Sequence, residues 1–461
     1  MESKLPVFET RAFAAWVSGE GASLPETFCG ITQDTRKLTP GCLYVALRGE
    51  RFDGHDFVRQ ALAGGAGAAL VEEGWRPAEG AAGLPLIRVR DAREALRAAA
   101  RAWRRQSGAF VLGLTGSSGK TTTKEMAAAL FAAGGVVCAT RGNLNNEIGL
   151  PLSVLAMPQK TAFGIFELGT NHPGEIARLA EVLEPRAAVI ASIGAAHIEH
   201  FGSVEAIARE KGELLRALPA DGFAALCRET ACFELLASLS AAPVVTTSLA
   251  SRDADFFGEL ADPLCGALRV TERETGEVTA LRSGLPGEHN ASNLLLAFAA
   301  ARRAGVPAPA AAQALLRLKL PGMRWEVSER GGVTVVNDAY NANPSSMAAV
   351  LRTFMQLPCA GRRVAVLGDM LELGAHAEAL HREVGRRVAE LAPDALFAVG
   401  PDTGRYVADE AVRRGYPAGR VRCFETPAQA APAVKAYVGA GDAVLLKASR
   451  GVKLERVLDE L

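Results

Sequence analysis

"LGLTGSSGKTTTKEMAAALF", residues 112–131, reads as a β-strand that tightens into glycines and a lysine and closes as a helix. Leu112 and Leu114 bring the chain to Gly116, the turn bends through Ser117, Ser118 and Gly119, and a helix starts near Lys120. Glycines let backbone N–H groups converge on phosphate oxygens, and the helix N-terminus adds its dipole. Lys120 is placed to neutralise phosphate charge, and the hydroxyl of Thr121, followed by Thr122, to ligate Mg²⁺. Leu114 stands where the pattern GxxxxGK[ST] has its first glycine. A purely structural glycine turn is the alternative, and the strand–turn–helix context speaks against it.

Outward from this loop the chain alternates apolar strands with helices: "TAFGIFELG" (161–169), "GEIARLAEVLEP" (174–185) and "RAAVIASIG" (186–194). Such alternation implies right-handed crossovers and a mostly parallel sheet. Upstream, "DAREALRAAARAWRRQSG" (91–108) suits a helix closed by glycine, which puts a domain boundary near residue 108. Downstream, "RLKLPGMRWEV" (317–327) turns from helix-like sequence through Pro-Gly into strands. Three further strands, "RRVAVLGDM", "DALFAVG" and "GDAVLLKASRG", end at Gly, Asp or Lys. The expected fold is α/β in three domains: a smaller N-terminal α/β domain (1–107), a central P-loop domain with a doubly wound parallel sheet (108–319) and a C-terminal Rossmann-like domain (320–461). Functional loops belong at the strand carboxyl ends.

Composition agrees with a multidomain globular chain. Its 461 residues are too many for one core. Lys plus Arg and Asp plus Glu both number 51, and no long basic run is present, which argues against nucleic acid as a partner. The eight cysteines show no CxxC or zinc-type spacing and read as reduced core thiols of a cytoplasmic protein. "MESKLPVFETRAF" lacks an apolar signal core, and no stretch approaches the roughly 18 apolar residues of a membrane span.

Magnesium on phosphates calls for a carboxylate at a neighbouring strand end, and Glu167 follows the apolar run of "FGIFELGTNHPGEI". The alternative is a solvated edge charge. His197 and His200 lie just past the next strand, where a structural histidine is the commoner finding. In "SVEAIAREKGELLRAL", Ser203 is a natural N-cap, and Val204, Ile207, Leu214, Leu215 and Leu218 form a helical stripe with Lys211 at its centre. Lys211 either snorkels outward or is desolvated to a neutral amine able to add CO₂ as a carbamate, an oxygen ligand for metal.

With these residues assembled, the chain resembles the Mur ligase family, and within it the type that adds D-Ala-D-Ala. The stretches that carry the resemblance run from "DTRKLTPGCLYVALRGERFDGHDF" (34–57) through "TGSSGKTTTKE", "GNLNNEIGLPLSVL", "ELGTNHPGEI" and "AHIEHFGSVEAIAREKGEL" to "LPGEHNASNLLLA", "GMRWE", "NDAYNANPSSM", "VLGDMLELG" and "LLKASRG" (445–451). The resemblance implies an ATP-dependent ligase that joins D-Ala-D-Ala to UDP-MurNAc-tripeptide through an acyl phosphate in peptidoglycan precursor synthesis. It implies two Mg²⁺ ions, one on Thr121 and Glu167, the other on His197 and carbamylated Lys211. Asn290 and Asn293 would lie toward adenine, Arg324 on the phosphates and Asp338 on the ribose, so that ATP bridges two domains. The "HNASN" asparagines could equally cap a helix. Thr35 and Arg36 match the UDP-sugar contacts, although a plain turn there fits as well. Asn143, Asn145, Asn146, Asn171 and His172 match the acceptor wall, and Asn341, Asn343 and Ser449 the dipeptide side. Ala448 departs from the family's usual glycine. The chain is expected to act as a monomer. Rival readings are a ligase adding diaminopimelate or lysine, which would show Asn-Pro-Arg in the third domain, a folylpolyglutamate synthase-like ligase, and a nucleotide-binding protein without chemistry.

Overall fold

The structure, a computed structural model, describes residues 5–49, 51–76 and 83–461; residues 1–4, part of the stretch read for a signal core, lie outside the described residues. Three large sheets follow one another along the chain, of five, nine and six strands, beside a two-stranded ribbon of Val7–Glu9 and Thr27–Cys29. The fold is thus mixed α/β with parallel sheets, as the strand–helix alternation implies. Among the described residues no helix is long and apolar enough to cross a membrane.

The nine-stranded sheet positions the phosphate loop. Phe110–Thr115 pairs in parallel with Phe163–Glu167 on one side and Ala187–Ile190 on the other. Their near-continuous burial matches strands covered on both faces. One face is covered by the helices Lys120–Phe131 and Glu288–Arg303; the second is apolar nearly all round because it lies in the core between sheet and neighbouring helices. Beyond Phe256–Asp262 the sheet continues as an antiparallel extension through Ala267–Glu272 and Val278–Arg282. Sequence reading misses this extension because only alternate residues, such as Leu268 and Val270, turn inward.

The helix Ala92–Ser107 behaves as its sequence dictates. The Asp91 carboxylate accepts from the backbone N–H groups of Arg93 and Glu94 at 2.8 and 2.9 Å, and Gly108 ends the helix at φ 63°. Its apolar face joins the core of the nine-stranded sheet, and Trp103 Nε1 donates to the Met157 carbonyl at 2.9 Å. The chain therefore changes sheet after a helix that packs on both.

In the third sheet Val333–Asn337, Ala443–Lys447, Arg363–Gly368, Ala395–Val399 and Val421–Phe424 are parallel, with Glu326–Arg330 antiparallel at the edge. All eight cysteines are free, but the expectation of core thiols holds only in part. Cys42 and Cys227 are buried, five are half-buried, and Cys423 is exposed because it lies on an edge strand with an open face.

Candidate functional site

The loop after Phe110–Thr115 is held by its neighbour strand's exit. Ser117 N donates to the Ser192 carbonyl at 2.8 Å, and Ser118 N to Ser192 Oγ at 2.9 Å. Gly119, at φ 76°, precedes the helix Lys120–Phe131, and a Cβ there would come within 2.6 Å of Asn293 Oδ1. Glycine is required twice over, by backbone conformation and by close approach. Lys120 Nζ reaches back to the Gly116 carbonyl at 2.8 Å. Burial pulls this ammonium below its ordinary 10.5, with Glu167 opposing and Arg324 assisting. The Arg324 influence places a C-terminal residue beside the loop. Indeed a cavity of about 680 Å³ is lined by loop residues, by Asn290 and Asn293, and by Arg324 and Asp338.

Glu167 ends its strand inside this cavity at 2% exposure, which excludes a solvated edge. Thr121 Oγ1 donates to its Oε2 at 2.8 Å and Asn145 Nδ2 to its Oε1 at 2.9 Å. The Glu167 backbone N–H donates to Thr140 Oγ1, whose residue's carbonyl accepts from Lys124 Nζ at 2.6 Å. Lys124, almost wholly buried, thereby anchors the strand beside Glu167, a role without signal in its exposed-looking "KE" context.

Lys211 is 1% exposed, so it does not snorkel. Among the described residues its amine has no hydrogen-bond or ion-pair partner. The adjacent Glu210 is committed elsewhere, accepting from the backbone N–H groups of Gly174 and Ile176 at 2.7 and 2.9 Å. Burial drives Lys211 well below its ordinary 10.5, and repulsion from Lys120 adds to it against Glu210 and Glu167. The amine thus lies buried near Lys120 and Glu167, where burial weakens its hold on a proton.

His197 stands at φ 57° before the short helix Ile198–Phe201 and lines the same cavity. Its Nδ1 is 2.5 Å from Glu372 Oε2, an ion-pair contact whose angle falls short of a hydrogen bond. His200 instead stacks near His172, with ring centroids 4.5 Å apart. Asn143, Asn145, Asn146, Asn171 and His172 all line the cavity. Asn146 also accepts from Gly149 N at 2.8 Å, starting a helix.

The third sheet closes the cavity. The Arg324 guanidinium lies 4.0 Å over the Tyr340 ring, and its Nε has no partner among the described residues. Asp338 accepts from Trp325 N at 2.8 Å and from Lys447 Nζ at 2.6 Å. Lys447 also donates to the Asn341 carbonyl at 3.0 Å. His289 sits beside this pair, lowered by burial to about 4. Neither Lys447 nor His289 stands out in the sequence, because Lys447 meets Asp338 across 109 positions and His289 approaches that pair only from another sheet's helix.

Some matched residues do structural work. Asn290 is inside the helix Glu288–Arg303, which starts after Gly287, so neither "HNASN" asparagine is its N-cap. Asn343 caps the helix Pro344–Gln356 in a reciprocal box with Ser346, while its Nδ2 donates to Ser118 Oγ at 2.8 Å across the cleft. Ser449, 3% exposed, accepts from Leu371 N at 2.9 Å and is not among the cavity-lining residues. Ala448 is fully buried, and Gly368 opposite has no room for a side chain: a Cβ would meet Ala448 Cβ at 2.7 Å. Thr35 and Arg36 lie on a short turn outside the cavity, with Arg36 Nε bonded to Asp34 at 2.8 Å.

Three domain models of the Mur ligases match the chain in order: the Mur ligase family catalytic domain over residues 27–104, the Mur ligase middle domain over 114–301, and the Mur ligase glutamate ligase domain over 323–450. The chain is 40% identical over 387 residues to UDP-N-acetylmuramoyl-tripeptide–D-alanyl-D-alanine ligase of Escherichia coli K12, covering 83% of this chain and 84% of that one. A crystal structure of MurF from Acinetobacter baumannii is similar at TM-score 0.88 and 29% identity, over 100% of this chain and 99% of that one. That of MurF from Thermotoga maritima in complex with ADP is similar at TM-score 0.79 and 27% identity, over 94% and 96%.

Proposed function

This chain belongs to the Mur ligase family, and on that premise we propose that it is an ATP-dependent carboxylate–amine ligase joining D-Ala-D-Ala to UDP-MurNAc-tripeptide. The observation that carries the reading is the cavity in which loop residues 117–122 face Arg324 and Asp338 from another sheet. ATP fits there with its phosphates on the loop N–H groups, adenine toward Asn290 and Asn293, and ribose at Asp338. Arg324, stacked on Tyr340 and with no Nε partner among the described residues, is held ready for the phosphates.

The residues for divalent metal are suited to it. Thr121 and Glu167 form a hydroxyl–carboxylate pair that would hold one Mg²⁺, and His197 with Lys211, once carbamylated, would hold a second. Bound Mg²⁺ spreads the negative charge of the phosphoryl group in transfer. Lys120 adds fixed positive charge at the same place without reorganisation. The acceptor carboxylate takes the γ-phosphoryl group as an acyl phosphate; the D-Ala-D-Ala amine then attacks the acyl carbon and phosphate leaves. Asn143, Asn145, Asn146, Asn171 and His172 form the acceptor wall. Asn341 faces the dipeptide directly, whereas Asn343 and Ser449 act by holding loop and backbone. Closure of the third domain excludes water that would hydrolyse the acyl phosphate. Thr35 and Arg36 contact the UDP moiety. Free cysteines throughout fit a reducing cytoplasm.

Where the diaminopimelate- or lysine-adding type would show arginine after Asn-Pro, this chain has Ser345, which lines the cavity. Phosphate release with ATP, Mg²⁺ and UDP-MurNAc-tripeptide tests the reading. D-Ala-D-Ala should support release and give UDP-MurNAc-pentapeptide by mass spectrometry, whereas release with diaminopimelate or D-Ala instead would refute it.

A further inference from the structure

His197 lines the cavity with both its backbone and its side chain under visible constraint. Its φ of 57° is a conformation that residues other than glycine seldom adopt, so something must hold it. The ring is 16% exposed, and its Nδ1 meets Glu372 Oε2 at 2.5 Å. Glu372 comes from the third domain, in the loop after Arg363–Gly368, and itself sits at φ 62°.

That loop is braced from several sides. Met370 N donates to His381 Nε2 at 3.1 Å, Leu371 N to Ser449 Oγ at 2.9 Å, and Ser449 N to the Asp369 carbonyl at 3.0 Å. Asp369 Oδ1 accepts from Thr403 N at 2.7 Å. On the His197 side, Glu199 N approaches the Glu372 carbonyl at 3.4 Å, and a Cβ on Gly374 would meet Glu199 Cγ at 2.9 Å. The carboxylate is thus delivered by a stiff support and docks against the residues flanking His197.

A histidine that ligates metal through one ring nitrogen characteristically donates the other N–H to a carboxylate, which fixes tautomer and orientation. With Nδ1 lying against the Glu372 carboxylate at 2.5 Å, short of hydrogen-bond geometry in this structure, Nε2 is the nitrogen left for a ligand. We propose that Glu372 is a positioning residue for His197, supplied by the third domain, so that domain docking itself sets the histidine for the reaction. The proposal rests on the ligase reading above and extends it: Glu372 touches no substrate, yet the centre is incomplete until the third domain arrives. It also assigns Ser449 and His381 a purpose, the bracing of the loop that carries Glu372.

The test uses the full chain with Glu372→Ala and Glu372→Gln, the glutamine keeping an oxygen acceptor at the same place. Kinetics with ATP, UDP-MurNAc-tripeptide and D-Ala-D-Ala should show kcat of the alanine variant reduced by about 10–100-fold, the range for outer carboxylates of metal-binding histidines. Each KM should stay within about twofold, and the glutamine variant should recover most of kcat. Independently of turnover, ring-¹⁵N-histidine NMR with ADP and UDP-MurNAc-tripeptide present, assigned with His197→Gln, should show the Nδ1–H tautomer of His197 in the wild type and the glutamine variant and its loss with alanine. An alanine variant that keeps kcat, changes KM alone, or leaves the His197 signals unaltered overturns the proposal. Wild-type protein inactive with D-Ala-D-Ala would instead overturn the ligase reading, while the NMR result still decides the Glu372 contact.

Discussion

The cleft beside the phosphate loop and the turn Thr35–Lys37 both carry motif residues, but they treat their polar groups differently. Beside the cleft, Lys211 is buried with no hydrogen-bond or ion-pair partner among the described residues, and in the cleft Arg324 Nε has none among them either. On the turn, Arg36 is exposed and already paired with Asp34, which also accepts from the Arg36 backbone N–H at 3.0 Å. Buried polar groups without partners are costly. A fold that keeps them is prepared for a ligand, whereas a self-satisfied exposed turn can release its arginine to a ligand at little cost but is not built around one.

The largest expected effect breaks the cleft. Lys211→Met should lower kcat by about 10³-fold, as loss of a charge-stabilising centre does, while leaving the melting temperature unchanged or higher, because a buried unpaired amine is replaced by an apolar side chain. Phosphate release and calorimetry on the same sample check both halves, and a large drop in melting temperature would show that the lysine is structural. Glu167→Gln should cost about 10²-fold in kcat with a raised Mg²⁺ requirement, read from a magnesium titration of the rate.

Asn343→Ala removes a helix cap and the amide that bridges to Ser118, so about 1 kcal/mol of stability and about tenfold in kcat should go together. Asn343→Ser, which can still cap, should restore the denaturation midpoint but not the rate. His289 offers a pH test. Burial lowers it from 6.5 to about 4, so between these values the unfolded chain takes up a proton that the folded chain refuses. Its stabilising contribution is complete above pH 6.5 and is lost as the pH falls toward about 4. Urea midpoints from pH 7 to 4 should therefore fall less steeply in His289→Gln. The smallest effect belongs to the turn: Arg36→Ala should raise KM for the UDP substrate several-fold, with KM for ATP and the denaturation midpoint unmoved.

The phosphate loop, the parallel strands around it and the strand-end Glu167 were legible because each is a local pattern: apolar run, glycine turn, helix start. Lys211 was legible as an anomaly in a helical stripe, and only its burial in the structure excludes snorkelling. The antiparallel extension over Phe256–Arg282 was missed because half-buried strands carry a weak apolar signal. Glu372, Lys447 and His289 lack any local signature, and Asn343 reads as a substrate contact until its partner is seen 225 residues away at Ser118.

By itself, then, the sequence determined the α/β architecture and the phosphate loop, because periodicity and turn chemistry act between near neighbours, while its ordered motifs carried the likeness to a ligase family. The tertiary structure alone decided which side chains are left unpartnered in the cleft and which are spent on holding domains together. That division depends on contacts between residues far apart in the chain, and those contacts set the burial, and with it the protonation, of each group.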